Sequence, residues 1–321
     1  MRYFFIVNPS AGKGNKAEKL MQDIRSVCDA REVDYVLYTT TEVGDAERYV
    51  RETCEKSKER GESIRVFACG GDGTINECVN GAAGFDHVQI GVFPIGTGND
   101  FVRNFGGAKV FFDVETQLDG NPISLDLIKY NSRYCVNMIN IGFDCEVAAR
   151  TATLKTNPLV PGKFAYICGL LAEFVKKSGT EFASCVIDGA DQGAKRLLLS
   201  LFANGGFCGG GFYSAPLADL SDGLIDFCFV RDIPRLTFLK LVGPYKSGTH
   251  LELKNRDEIF EYGKCREIKL TFSETVKICV DGEIDTCDHL TLTIEKGAIQ
   301  FVVPHGVSTN RTASPEAELV K

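Results

Sequence analysis

Two periods of hydrophobicity divide the chain. In the first part, short apolar runs alternate with stretches whose apolar residues recur every three or four positions. "RYFFIV" reads as a buried strand, and after "NPSAGKGN" the positions Ala17, Leu20, Met21, Ile24, Val27 and Cys28 mark one face of a helix. "VDYVLYTT" is a second strand, and Ala46, Tyr49, Val50 and Thr53 form the inner face of a second helix. "SIRVFA" and "QIGVFPI" add two strands, each followed by a glycine loop and a helix start. After the first of these, Thr74 is the expected helix cap and Gly81 the expected stop. This βαβα series predicts an α/β domain with a mostly parallel sheet over residues 1–122.

From about residue 123 the texture changes to paired strand-like runs. "ISLDLIKY" and "RYCVNMINIG" join through Asn131-Ser132, and "FASCVID" and "RLLLSLFANG" flank the turn-rich "GADQGAK". "GLIDFCFV", "EIKLTF", "TVKICVDGE", "LTLTIEKG" and "IQFVV" continue the series. The expectation is an antiparallel β-sandwich over 123–304, interrupted by helical stretches near 163–176 and 235–254. The polar tail 305–321 is expected either to be disordered or to pack back on the first domain.

Composition narrows the class. A chain of 321 residues with 44% hydrophobic residues can fill two cores. The N-terminus lacks the apolar centre of a signal peptide, because Asn8 and Pro9 interrupt it. The long uncharged stretch 197–218 holds Asn204, several glycines and Pro216 and is no spanning helix. A soluble or peripheral protein is expected. Thirteen cysteines without a C-x-x-C pair read as small buried hydrophobes in a reducing cytoplasm. A net charge of −7 disfavours a general nucleic-acid binder.

The candidate chemistry lies in three glycine-bearing loops, residues 8–14, 70–77 and 96–100, each following a strand of the predicted parallel sheet. Such loops line the crevice where open α/β sheets bind ligands, and backbone N–H groups at a helix start favour anions. None has the spacing of a familiar phosphate motif by itself. Asp72, set between glycines, would repel a phosphate unless a cation stood between them.

The set "NPSAGKG", "GGDGTINECVNG" and "FPIGTGNDFVR" resembles the catalytic domain of the diacylglycerol kinase superfamily, which includes sphingosine and ceramide kinases and soluble bacterial lipid kinases. The resemblance continues through "NMINIGFD", "ANGGFCGGGFYSAPLADLSDGLID" and "VDGE", nearly the whole chain in the family's order. It implies an α/β nucleotide domain followed by a β-sandwich. It further implies ATP held by Asn8, Gly12, Lys13, Thr40, Gly70, Gly71, Gly73, Thr74, Glu77 and Thr97, with Asp72 a direct or water-mediated ligand of catalytic Mg²⁺. Glu283 is implied as the general base and Asp222 as ligand of a structural Mg²⁺, with the carbonyls of Asp219 and Leu224.

The acceptor is expected to be the hydroxyl of diacylglycerol, giving phosphatidic acid for phospholipid turnover. Another lipid alcohol, a sphingoid base, monoacylglycerol or phosphatidylglycerol, stays open. So do NAD kinase, which shares a "GGDGT" loop, and a non-catalytic nucleotide or lipid sensor. Leu159, Val160, Phe164, Tyr166, Ile167, Leu170, Leu171 and Phe174 suggest a segment bordering an apolar pocket. Between 231 and 256 stand six Lys or Arg and two Asp or Glu around apolar residues. That stretch suits either an amphipathic helix packed on its own domain or contact with the inner membrane surface. A homodimer is compatible with the sequence.

Overall fold

Contact within the chain divides it into two compact units, residues 1–127 together with the chain from 295 onward, and residues 128–294. The structure is a computed structural model that describes residues 1–12, 14–143, 145–146 and 179–307, and of residues 235 and 236 the backbone alone. Lys13, the apolar segment 159–174, the helical stretch expected near 163–176 and most of the 305–321 tail lie outside the described residues.

In the first unit the elements follow as β1 (Arg2–Val7), α1 (Lys16–Ala30), β2 (Tyr35–Thr39), α2 (Asp45–Glu59), β3 (Ile64–Gly70), α3 (Asp72–Ala82), β4 (Val88–Pro94) and the short α4 (Val114–Leu118). The pairs β1–β2, β1–β3 and β3–β4 run parallel, giving the order β4-β3-β1-β2. Every residue of β3 is buried, as expected of a mainly apolar strand covered on both faces; the one charged residue, Arg65, bonds Gln89 and the carbonyls of Gln117, Leu118 and Gly120. Phe5, Phe67 and Phe93 share one face of these strands and pack with Leu20, Ile24 and Cys28 of α1. Met21 and Val27, counted with the inner face from spacing, lie half-buried beside it.

Two helix-end expectations are corrected. α3 begins at Asp72 with the extended Gly71 as its cap, two residues before Thr74, and it runs through Gly81. Gly81 is not a stop but a contact: a Cβ there would stand 2.7 Å from the Glu47 carbonyl oxygen and 2.8 Å from the Val50 Cβ. The glycine lets α3 lie against α2.

β5 (Asn121–Tyr130) carries the chain into the second unit. There the strands are β6 (Arg133–Cys135), β7 (Met138–Gly142), β8 (Thr180–Ile187), β9 (Ala190–Asp191), β10 (Lys195–Ala203) and β11 (Ile225–Arg231). α5 (Arg235–Ser247) precedes β12 (Phe260–Cys265), β13 (Glu267–Val280) and β14 (Glu283–Val303). The registered pairings within this unit are antiparallel, and β10 and β13 each pair with both β7 and β8. Alternate residues such as Ile139 and Ile141, Ile268 and Leu270, and Leu290 and Leu292 point into one apolar core with Phe202 and Phe229. A second cluster gathers Leu241 of α5 with Phe143, Val230 and Phe260.

Four runs read as separate strands are two long ones, β13 and β14. In β14 the apparent break is Gly297, at positive φ (64°), whose N–H donates to the Asp126 carboxylate at 2.7 Å. It is an irregularity within a strand and not a turn. The last residues of β14 return to the first unit, where Gln300 and Phe301 pair in parallel with Gln89 and Ile90 of β4. Phe301 there meets the rings of Phe101, Phe105 and Phe111, with centroids 5.1, 5.1 and 6.3 Å away.

Candidate active site

In the first unit the loops after β1, β3 and β4 meet backbone to backbone. Asn8 donates its N–H to the Cys69 carbonyl (3.0 Å), and its side-chain amide donates to Thr74 Oγ1 (3.3 Å). Gly96 donates to the Gly70 carbonyl (3.0 Å). A Cβ on Gly96 would stand 2.5 Å from Gly71 Cα, and one on Gly12 2.3 Å from the Ile95 carbonyl oxygen. Glycine is required here because two main chains approach closer than any side chain allows. Gly12, at φ +79°, is also in the left-handed region.

Asp72 is half-buried in this junction, and Gly73 follows it in the first turn of α3. Its carboxylate accepts the N–H of Asp100 on Oδ2 and that of Phe101 on Oδ1, both at 3.2 Å. It thereby holds the third loop and the 3-10 turn Phe101–Phe105 to the start of α3. Asp100 in turn pairs with Arg103 at 3.2 Å. Thr40 is buried at the end of β2, its hydroxyl directed at the Val7 carbonyl (3.4 Å), while Thr97 is exposed. Glu77 faces the start of α2, where its two oxygens accept the N–H groups of Gly44 (3.0 Å) and Ala46 (3.1 Å).

Beside Thr40, Asp45 has a fully buried side chain. Burial pushes its pKa up, but hydrogen bonds from Thr41 and Tyr38 and the Arg48 charge outweigh this and hold it below the usual carboxylate range.

In the second unit Glu283 is exposed at the end of a two-residue hairpin, opposite Val280. Asp281 and Gly282 form the tip at φ 48° and 95°, as a twisted tight hairpin requires. The Asp281 carboxylate accepts the N–H groups of Val136 (2.7 Å), Asn137 (2.9 Å) and Met138 (3.0 Å), and the Cys135 thiol at 3.1 Å. Asn137 reaches the Phe207 carbonyl (2.6 Å), and Asn204 the Val136 carbonyl (2.8 Å). Asn137, Asn204 and Asp281 were not among the site residues read from sequence. Their signal was polar residues inside the apolar runs "CVNMINIG" and "LFANGG".

Around the expected structural metal ligands, the carboxylates of Asp219 and Asp222 each accept within their own turn. Asp219 Oδ1 accepts from the N–H and hydroxyl of Ser221 (3.0 and 2.9 Å), and Asp222 Oδ1 accepts the Leu224 N–H (3.0 Å). The Lys264 ammonium lies 2.7 Å from Asp222 Oδ2, 3.2 Å from Asp226 Oδ2 and 2.9 Å from the Leu217 carbonyl oxygen. Tyr262 donates to Asp226 Oδ1 at 2.5 Å. Burial raises the Asp226 pKa against that hydrogen bond and the Lys264 charge. Burial works against the Lys264 charge, yet Asp222 and Asp226 raise its pKa overall. Among the described residues no group of three or more His, Cys, Asp or Glu side chains is placed to hold a metal ion.

The twelve cysteines in the described residues are free thiols, ten of them buried. Burial pushes Cys28 up to about 11 and Cys54 up to about 12. Among the described residues no helix is long and apolar enough to cross a membrane. α5 buries Leu241 in the second core cluster and exposes Leu239, Lys240 and Lys246.

The sequence profile of the diacylglycerol kinase catalytic domain matches residues 2–130, and that of the YegS C-terminal NAD kinase beta sandwich-like domain matches residues 137–303. The chain is 29% identical over 290 residues to a diacylglycerol kinase of Bacillus subtilis (strain 168), covering 87% of this chain and 88% of that one. A candidate lipid kinase of Staphylococcus aureus (strain MRSA252) is 27% identical over 264 residues, covering 81% and 83%. The crystal structure of a diacylglycerol kinase from Bacillus anthracis str. Sterne shares the fold, with a TM-score of 0.70 at 22% identity, covering 96% of this chain and 98% of that one.

Proposed function

Because the chain belongs to the diacylglycerol kinase family of lipid kinases, we propose that it transfers the γ-phosphate of ATP to the hydroxyl of diacylglycerol, giving phosphatidic acid and ADP. The observation that carries this reading is the junction of glycine loops at the ends of β1, β3 and β4, where side-chain-free backbone would face a triphosphate. Asn8, Gly12, Gly71, Gly96 and Thr97 would hold the nucleotide there. Asp72 orders the third loop, and its carboxylate is the hard oxygen donor that would hold a cation or its water beside the triphosphate. Mg²⁺, when bound with ATP, supplies neutralisation of phosphate charge.

Glu283 takes the proton of the acceptor hydroxyl as its oxygen bonds to the γ-phosphorus. The bond from that phosphorus to the β–γ bridging oxygen breaks, and ADP leaves with the electron pair. A carboxylate suffices as base because a loose phosphoryl-transfer transition state needs little prior deprotonation. The exposed Leu239, Lys240 and Lys246 of α5 support a cytoplasmic enzyme that meets anionic lipid at the inner membrane surface.

The test is transfer of labelled γ-phosphate, with Mg²⁺, to a panel of lipid alcohols in mixed micelles, with Asp72→Ala as the blank. Labelled phosphatidic acid that vanishes in the blank is the expected result. Label appearing only on another lipid alcohol, or only on NAD, would replace the acceptor. ATP binding with no labelled product would favour a sensor.

A further inference from the structure

The second unit contains a cation site built from the chain itself. Asp226 on β11 and Lys264 on β12 are direct partners in the antiparallel register, so the backbone sets them opposite each other. Tyr262, two residues before Lys264 on β12, points to the same face and closes the other oxygen of Asp226. The Asp226 side chain has no solvent exposure, and its Oδ2 has no hydrogen-bond partner of ordinary geometry, so the ammonium at 3.2 Å is its counter-charge. A buried carboxylate left without one is strongly unfavourable.

We propose that the Lys264 ammonium takes the place of a structural divalent cation in the Asp222–Asp226 pocket, so that this protein folds and keeps its second unit ordered without a bound metal. The ammonium meets three oxygens, from Asp222, Asp226 and Leu217, which matches its three protons. Asp219 Oδ1 and Asp222 Oδ1 are already bonded to Ser221 and Leu224 within their own turn. A divalent ion entering between Asp222 and Asp226 would stand beside a positive charge and be repelled by it. The site thus keeps the oxygen donors suited to a hard cation and fills them with a covalently attached one.

The inference concerns stability and stands apart from the choice of acceptor, so its test needs no turnover. Nucleotide-free protein is dialysed against a chelator, its metal content is measured, and its thermal midpoint is compared with EDTA, with Mg²⁺ and with Ca²⁺. The parent is expected to hold no stoichiometric divalent metal and to melt at the same temperature in all three. Lys264→Met is expected to melt roughly 10 °C lower and to regain part of that loss on adding Mg²⁺ or Ca²⁺. Should that variant fail to fold, Lys264→Met with Asp226→Asn removes both charges together and is expected to recover most of the parent's midpoint. A parent that carries one divalent ion per chain, or that loses stability in EDTA, overturns the proposal. So does a Lys264→Met protein as stable as the parent, or a double variant no better than the single one.

Discussion

The carboxylate of Asp281 accepts the backbone N–H of Asn137 at 2.9 Å, tying the tip of the β13–β14 hairpin to the start of β7. Glu283 stands two residues beyond that anchor. The two tip residues stand at positive φ, and the Asp281 N–H adds a second tie by donating to the Met138 carbonyl at 3.0 Å. Asp281 is thus the positioning residue for the proposed base. Glu283→Gln is expected to lower kcat about 10²- to 10⁴-fold with ATP affinity kept. Asp281→Ala is expected to lower kcat as well and also to cost stability, about 3 kcal/mol or more, because three N–H groups lose their acceptor. Kinetics with both substrates and urea unfolding separate the two effects. Equal kcat in parent and Glu283→Gln would remove Glu283 from the chemistry.

Asp72 links the second and third loops through two backbone N–H groups. Asp72→Asn can accept only one of them and turns an amide donor toward the other. It should weaken ATP binding, while Asp72→Ala should weaken it further and lower stability by about 1–3 kcal/mol. Calorimetric titration with ATP and a thermal melt of each variant check this. Unaltered affinity in both would show that the junction holds without Asp72.

Gly96→Ala places a methyl group 2.5 Å from Gly71 Cα, where main chain must yield. The expected cost is about 1–3 kcal/mol, with ATP binding lost even in the protein that remains folded. Gly84→Ala, whose Cβ meets nothing within 4 Å although its φ is +86°, is the control for backbone strain without a clash. If Gly96→Ala bound ATP as the parent does, the loops would not need their close approach.

His250 is fully buried against Tyr245 and Phe260, with ring centroids 4.8 and 5.1 Å away. Burial lowers its pKa to about 4, against a smaller opposing pull from the Pro244 carbonyl. An unfolded histidine titrates near 6.5, so the folded state binds the proton less readily. Its contribution is therefore complete above about pH 6.5 and is lost as pH falls toward 4, by roughly 3 kcal/mol in all. Unfolding curves across that range should show the slope, and His250→Phe should flatten it. An unchanged slope in the variant would assign it to other groups.

Local rules made much of the fold legible. Apolar runs, helical spacing and Asp-Gly or Asn-containing turns act within a few residues, so the strand-helix alternation, the β-rich second part and the hairpins at Asn131 and Asp281 could be read from the chain. The glycine loops were legible for the same reason, since each lies at one strand end. Helix ends were less so. A cap depends on which N–H groups are left over, and Gly81 is explained by a neighbouring helix and not by its own turn.

What only the tertiary structure decided is where each carboxylate finds its partner. Glu77, Asp72, Asp222 and Asp281 look alike in sequence, as acids near glycine or at a helix face. In the fold one caps α2, one clamps a loop, one meets an ammonium brought by a strand 42 residues away, and one anchors a hairpin 144 residues from Asn137. A charge takes its role from the groups that surround it in space. Those groups arrive through strand register and close backbone packing, which no local pattern specifies.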